Sequence, residues 1–244
     1  GKTLTIDNMF MCTETDEAHY HEMISHPVMS THQNVKNVLV IGGGDGGTIR
    51  EIFKYKSVEA ITMVEIDNNV VEASKEHLPH LAKEFGNPKL DLRIEDGIAF
   101  VNNAADKTYD LVIVDGSDPV GPAKGLFSTE FYSNTKRILK DDGILVTQGE
   151  SPLFNRPTFI ELNTTLKEIF GKEKVNTLLF HIPTYPSGTW SFQIARKNDT
   201  DITQAKEEFL NSNVDTKALK YYNPAVHNAA FALPNYIREF LNEL

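Results

Sequence analysis

The apolar run Val38-Leu39-Val40-Ile41 passes directly into Gly42-Gly43-Gly44-Asp45-Gly46-Gly47, which opens the helix-like stretch Thr48-Ile49-Arg50-Glu51-Ile52-Phe53. A buried strand that turns at once into a helix through glycine begins a strand–helix–strand unit, with a nucleotide-like ligand at the turn. Taken alone, the loop is a formal G-x-G-x-x-G match and a weak signal. Asp45 narrows it. Backbone N–H groups at such a turn normally approach a pyrophosphate, and a carboxylate among them repels one. The loop fits a nucleoside without phosphates, one that carries positive charge.

The alternation continues downstream. Strand-like Ala60–Glu65, Leu90–Glu95, Asp110–Asp115 and Gly143–Gln148 are separated by helix-like segments that include Asn69–His77 and Ser128–Lys140. Short apolar strands between amphipathic helices imply a parallel sheet covered on both faces. A helix started by Pro157 and ended by Gly171 is followed by Val175–Ile182 and Trp190–Ala195, joined by Thr184-Tyr185-Pro186-Ser187-Gly188. This hairpin points to an α/β, doubly wound, methyltransferase-like Rossmann sheet closed by an antiparallel pair. From Asp201 the chain is helical with a break at Tyr221-Tyr222-Asn223-Pro224, and it reads as packing.

At the other end, Leu4–Cys12 reads as a hairpin bent at Asp7-Asn8, on the edge of a larger sheet, and Glu17–Ser30 as a helix. The chain does not start with Met, and Gly1–Asn8 already alternates like a strand entering a turn. Upstream residues are therefore expected, and residues 1–15 are read as the end of a small N-terminal β domain, residues 16–244 as the catalytic domain.

A formal net charge of −10 with no compensating basic block argues against a nucleic-acid or anionic-membrane surface. Cys12 is the only cysteine, which excludes an internal disulfide and any cysteine-based zinc or iron–sulfur site and fits the reducing cytosol. No apolar run approaches the ~20 residues that span a bilayer. Nor do the early histidines make a metal site. The zinc helix needs His at i and i+4, and His21-Glu22-Met23-Ile24-Ser25-His26 has one residue too many. No G-x-S-x-G elbow follows any strand.

Ligands of an open parallel sheet lie beyond the carboxyl ends of its strands, and here four consecutive strands end in acids. Asp45 follows the first, Glu65 and Asp67 the second, Glu95-Asp96 the third, and Asp115 the fourth with Asp118 close behind. Glu65 lies at the spacing from the glycine loop at which an acid binds ribose hydroxyls. Asp67 and Asp96 each have a second reading as helix N-caps. The segment Asp115-Gly116-Ser117-Asp118-Pro119-Val120-Gly121-Pro122-Ala123 sets two acids at a strand exit, in a loop whose composition suits a lid.

At these residues the chain resembles the spermidine synthase family of polyamine aminopropyltransferases. The matching segments are Asp16-Glu17-Ala18-His19-Tyr20-His21-Glu22-Met23, the glycine loop, Val64-Glu65-Ile66-Asp67, Asp96-Gly97, Asp115–Ala123 and Ile182-Pro183-Thr184-Tyr185-Pro186-Ser187-Gly188. Two departures stand out. Gly116 occupies a position where the family usually has Ser or Cys, and the family's upstream β-strands, with their ligand-binding residues, are not in this sequence.

The resemblance implies transfer of an aminopropyl group from decarboxylated S-adenosylmethionine to a diamine, with methylthioadenosine released. The donor is a co-substrate, and no cofactor or metal is implied. Donor-binding residues would be Asp45 at the aminopropyl ammonium, Glu65 at the ribose, Asp96 and Gly97 at the adenine, and Gly42 and Gly44 in the loop. Asp115 would be the acid-base residue with Tyr20 and Tyr185 beside it, and His21, Asp118, Gln148 and Tyr185 would line the acceptor channel. A homodimer or higher homo-oligomer is also implied.

The chemistry of the residues agrees. Both substrates are cationic and the acids are many, yet the attacking amine must be neutral, which costs on the order of 4–5 kcal/mol at neutral pH for a lysine-like group. The expected solution is that distal groups such as Asp118, Gln148 and Glu150 hold the unreactive ammonium while Asp115 takes a proton from the other. Three other readings remain. A putrescine N-methyltransferase-like enzyme must accommodate the methionine carboxylate near Asp45, an NAD-dependent oxidoreductase fits neither Asp45 nor the hairpin, and a non-catalytic polyamine-binding module would have no use for Asp115.

Overall fold

The computed structural model describes residues 1–119 and 121–244; Val120 of the Asp115–Ala123 segment lies outside the described residues. Strands Thr3–Ile6 (β1) and Met9–Thr13 (β2) form an antiparallel hairpin. Its bend is Asp7-Asn8, at φ of 50° and 66°, the left-handed pair a two-residue turn needs and short polar side chains tolerate best. The sequence puts this hairpin on the edge of a larger sheet. Instead it forms a two-stranded sheet of its own among the described residues and is held by side chains, Leu4 and Cys12 packing on Leu78 and Leu81.

Helix Glu17–Met29 (α1) is buried along almost its whole length. Met23, Ile24, Val28 and Met29 enter the main core, and the polar residues between them must find partners because water cannot reach them. Glu22, for instance, accepts the N–H groups of Lys220, Tyr221 and Tyr222 and so anchors the C-terminal segment.

The main sheet has seven strands. Asn37–Gly42 (β3) leads through the glycine loop to Gly47–Ile52 (α2); Ala60–Glu65 (β4) to Asn68–His77 (α3); Leu90–Ile94 (β5) to Gly97–Asn103 (α4); and Tyr109–Asp115 (β6) to Thr129–Ile138 (α5). Leu139–Gln148 (β7), Arg156–Phe170 (α6), Val175–His181 (β8) and Thr189–Arg196 (β9) follow. The order is β5-β4-β3-β6-β7-β9-β8, parallel from β5 to β7, with β9 antiparallel to both β7 and β8. This is the doubly wound sheet closed by an antiparallel hairpin. The fifth parallel strand starts at Leu139, earlier than Gly143, because α5 stops at Ile138 and Leu139 pairs with Tyr109 before the register shifts.

Both faces are covered. One core joins β3, β4, β6 and the hairpin strands to α1 and the C-terminal segment; the other packs Leu39, Ile41, Val112 and Val114 against α4, α5 and α6. Three short helices end the chain: Glu207–Asn213 (α7), Pro224–Ala230 (α8) and Asn235–Phe240 (α9). Among the described residues no helix is long and apolar enough to cross a membrane.

The chain order reverses at β3, with β4 on one side and β6 on the other, which opens a crevice at the strands' carboxyl ends. In that register Gly42 lies opposite Asp115.

Candidate active site

Gly42 and Gly43 have φ of +82° and +74°, a conformation that brings the loop onto β6 so closely that Gly43 N–H donates to the Asp115 carbonyl at 2.9 Å. A Cβ on Gly42 would lie 2.2 Å from that carbonyl oxygen. The loop thereby holds the Asp115 side chain at the crevice's centre. Asp115 Oδ1 accepts the Tyr20 hydroxyl at 2.8 Å and Oδ2 the Thr48 hydroxyl at 2.6 Å. Burial and the neighbouring Asp45 charge push the Asp115 carboxyl above its ordinary range, while His21 and the two hydroxyls oppose that rise. Burial and Asp115 keep the Tyr20 phenol well above its usual value, so Tyr20 is a donor and not a base.

On one side of Asp115 lies a cavity of about 370 Å³ lined by the glycine loop, Glu65, Asp67, Asp96, Gly97 and Ile98. Glu65 ends β4 and is 8% exposed; its Oε1 accepts Asp67 N–H at 2.9 Å. Its other oxygen faces Gly44, where a Cβ would come within 2.9 Å. Burial raises the Glu65 carboxyl and the N–H groups of Asp67 and Ile66 counter it. Asp67 and Asp96 do cap helices, accepting Asn69 N–H and Ile98 N–H, each at 2.8 Å, yet both also line the cavity. Gly97 is dictated by packing, since a Cβ there would stand 2.6 Å from Ile41 Cγ2.

On the other side a cavity of about 510 Å³ is lined by Met9, Met11, Asp118, Gln148, Asn155, Tyr185 and Trp190. Tyr20, Tyr185, Gly116 and Ser117 border both cavities, and Asp115, which lines the first, stands next to this shared boundary. Gln148 is immobilised: its amide N–H donates to Glu150 Oε1 at 2.7 Å, and its oxygen accepts Trp190 Nε1–H at 3.2 Å. Glu150, fully buried, also accepts from Asn155. Burial and the Asp118 carboxylate push Glu150 up to about 7, and Asp118 is raised by burial as well, so the pair shares a proton near neutrality. The Tyr185 hydroxyl donates to the Met11 carbonyl at 2.5 Å, which leaves its ring as a wall between the cavities.

His21 lines the first cavity and not the second. It lies between Glu17 Oε2 at 2.7 Å and Asp45 Oδ1 at 3.3 Å. Asp45 also accepts Gly47 N–H at 2.7 Å. Burial pushes the Asp45 carboxyl up, but the His21 charge and these hydrogen bonds outweigh it and hold the carboxyl below its usual range. His26 turns away to Glu51 and Tyr55, as the five-residue spacing from His21 requires. Among the described residues no group of three or more His, Cys, Asp or Glu side chains could hold a metal.

Sequence reasoning did not single out Thr48, Arg50 or Trp190. Thr48 carried a usable signal, being the first hydroxyl after the glycine loop and so at the helix start; Trp190 carried none, because its indole reaches Gln148 only across the sheet.

The comparisons with known proteins bear on this arrangement. The family model described as the spermine/spermidine synthase domain matches residues 17–206. The chain belongs to the spermine/spermidine synthase family. Among its relatives are proteins named polyamine aminopropyltransferase from Clostridioides difficile (strain 630), 48% identical over all of this chain and 85% of that one, and from Methanocaldococcus jannaschii, 47% identical over 98% and 81%. The crystal structure of a spermidine synthase in complex with the transition state analogue AdoDATO superposes with a TM-score of 0.93, at 36% identity over 99% of this chain and 81% of that one. The spermidine synthase from Thermotoga maritima gives 0.90 at 35% identity, over 99% and 80%. The family match thus spans the crevice from α1 through the glycine loop to the β8–β9 turn, and the β1–β2 residues that complete its lining lie before residue 17.

Proposed function

We propose that the protein transfers the aminopropyl group of decarboxylated S-adenosylmethionine to putrescine, giving spermidine and methylthioadenosine. The observation that carries this reading is Asp115, held by two hydroxyl donors in an acid-lined cavity, next to the boundary it shares with a second cavity that holds Asp118. The first cavity takes the donor: Glu65 the ribose hydroxyls, Asp96 and Gly97 the adenine side, Gly42 and Gly44 the close approach of the loop, and Asp45 the aminopropyl ammonium. The second takes the acceptor, with Asp118, Gln148 and the adjoining Glu150 around the unreactive ammonium and His21 on the far side of the junction.

In the reaction the bond from sulfur to the aminopropyl carbon breaks as nitrogen attacks that carbon. The sulfonium becomes a thioether, the neutral amine becomes a secondary ammonium, and Asp115, a hydrogen-bond acceptor to that amine during attack, takes its proton as the bond forms. Positive charge moves from sulfur to nitrogen, so a carboxylate on the nitrogen side stabilises the transition state more than the ground state. Tyr20 keeps Asp115 aimed at the amine, and Tyr185 restricts the line of attack.

The reading extends to a homodimer or higher homo-oligomer in the cytoplasm, with residues 1–15 as the end of a separate β domain; family resemblance, the single cysteine and the self-paired β1–β2 sheet support it. Incubation with decarboxylated S-adenosylmethionine and a panel of amines, with products identified by mass, tests the reaction. Putrescine should give the highest kcat/KM, with spermidine and agmatine poorer. Methyl transfer from intact S-adenosylmethionine, or amine binding with no product, would replace the proposal with one of its competitors.

A further inference from the structure

Both ring nitrogens of His21 face carboxylates, Nδ1 that of Glu17 at 2.7 Å and Nε2 that of Asp45 at 3.3 Å. An ionised carboxylate only accepts hydrogen bonds, so a neutral imidazole would turn a lone pair toward one of them. Only the imidazolium satisfies both. The ring is 2% exposed and lies flat over Gly47, where a Cβ would come within 2.3 Å of it, so it can neither turn aside nor exchange a partner for water. Glu17 is fixed in turn by both terminal nitrogens of Arg50, at 3.0 and 2.8 Å, and Arg50 Nε donates to Glu51 at 2.8 Å. The result is a row of alternating charges, Asp45, His21, Glu17, Arg50 and Glu51, that starts at the reacting centre and reaches solvent at Lys54.

A dehydrated row of this kind is poor value as a stability device, since well-packed apolar residues do as well or better. Its use lies in the charge it delivers. Aminopropyl transfer needs a neutral amine beside an ionised Asp115, and each uncompensated acid nearby favours the protonated amine. A cation beside Asp45 offsets that acid, and the same charge opposes the rise of the Asp115 carboxyl.

We infer that Glu17 and Arg50 are positioning residues for the transfer: they lock His21 as a permanent imidazolium, which neutralises Asp45 and leaves Asp115 ionised to receive the amine's proton. This role rests on the proposed reaction. His21 is paired with Glu17 from its own helix and Asp45 from the glycine loop, with the Tyr20 ring edge-on at 5.5 Å and the Asp115 charge from β6 acting on it. Arg50 from α2 stands behind Glu17, and Cys12 from β2 and Tyr185 from the β8–β9 turn stand behind Asp45. Burial alone would lower the imidazole, but Asp45 and Glu17 raise it to about 10, and Glu17 itself is held at about 2, burial being outweighed by His21 and Arg50.

The test has two arms. In the ligand-free, unaltered protein, nitrogen-15 spectra should keep His21 in the doubly protonated pattern from about pH 6 to about pH 9, where an ordinary histidine has long since titrated. A neutral His21 anywhere in that window overturns the inference, whatever the enzyme catalyses. In Glu17→Gln the ring should titrate within the window, and the ratio of wild-type to variant kcat should widen by about ten-fold for each unit of pKa lost as pH rises. A merely structural role predicts a ratio independent of pH, and that result would also overturn it. Should Glu17→Gln not fold, the spectra of the unaltered protein decide alone. Absence of aminopropyl transfer in the wild type would remove the proposed reaction while leaving the state of His21 measured.

Discussion

On the nucleoside side of the crevice, Glu65, Asp67 and Asp96 stand at separate strand ends and each accepts main-chain N–H groups. On the amine side, Asp118 and Glu150 face each other, and Glu150 is fully buried among Gln148, Asn155 and Trp190. Acids at separate strand ends, each fixed by main-chain N–H groups, present a row of acceptors along the crevice. A buried pair cannot ionise twice without a counter-cation, so it holds a proton until one arrives. The first design suits a donor whose sulfonium is permanent, the second an amine whose charge is itself pH-dependent.

The largest effect should come next to the boundary where the two sides meet. Asp115→Asn removes the proton acceptor with little change in volume, so kcat should fall by ~100-fold or more while methylthioadenosine binding stays within about three-fold. Near-normal turnover in this variant would take Asp115 out of catalysis and make the junction a mere partition.

A smaller but more diagnostic change is expected from Glu150→Gln. Loss of a charge-assisted bond to the unreactive ammonium should raise the putrescine KM by roughly 10- to 100-fold and leave methylthioadenosine affinity nearly unchanged. In the wild type the putrescine KM should fall as pH rises through about 7, because the cation binds the carboxylate form; the variant should lose that dependence. The sign for stability is opposite. Because the folded protein holds the Glu150 proton more tightly than the unfolded chain, stability drops as pH rises from the ordinary carboxylate range to about 7. At pH 8 the ligand-free variant should therefore be more stable than wild type by about 1–3 kcal/mol, measurable by urea denaturation. A putrescine KM and stability that both match wild type would mean that the two sides of the crevice do not differ in this way.

How far the sequence reveals each side follows from the same contrast. The nucleoside side was readable because Asp45, Glu65 and Asp96 each follow a recognisable strand, and a parallel sheet sends successive strand ends to one edge. The seven-strand sheet with its closing hairpin was readable for the same reason, as short apolar runs bounded by helical segments. The amine side depends on contacts that cross the chain, such as Trp190 with Gln148 and Tyr185 with Met11, which no local spacing announces. His21 was grouped with the acceptor channel by resemblance; its immediate partners, Glu17 and Asp45, belong to the glycine-loop side of the junction. The Glu17–His21 spacing of four on a helix was the available clue.

Glu65→Gln sharpens the comparison from the nucleoside side. It should weaken methylthioadenosine and the donor alike by about 1–3 kcal/mol and leave the putrescine KM within about two-fold. Calorimetric titration of methylthioadenosine into the variant checks this, and unchanged affinity would remove Glu65 from the ribose.

The smallest effect is expected at Gly116, which borders both cavities and so belongs to neither side. Its backbone φ lies outside the left-handed region, so a side chain meets no backbone strain there. A Cβ would come 3.0 Å from Leu126 Cδ1, the free end of a flexible side chain that has to yield only a few tenths of an ångström. Against that small steric cost, Gly116→Ser restricts the unfolded chain, an effect of about 0.4–1 kcal/mol in favour of the folded state for a compatible glycine. The two terms nearly cancel, and stability should change by less than about 1 kcal/mol. The hydroxyl adds no charge to either cavity, so methylthioadenosine affinity and putrescine KM should each move by less than about three-fold. A much larger change in one constant alone would show that Gly116 serves one cavity after all, and the partition beside Asp115 would have to be redrawn with this residue on that side.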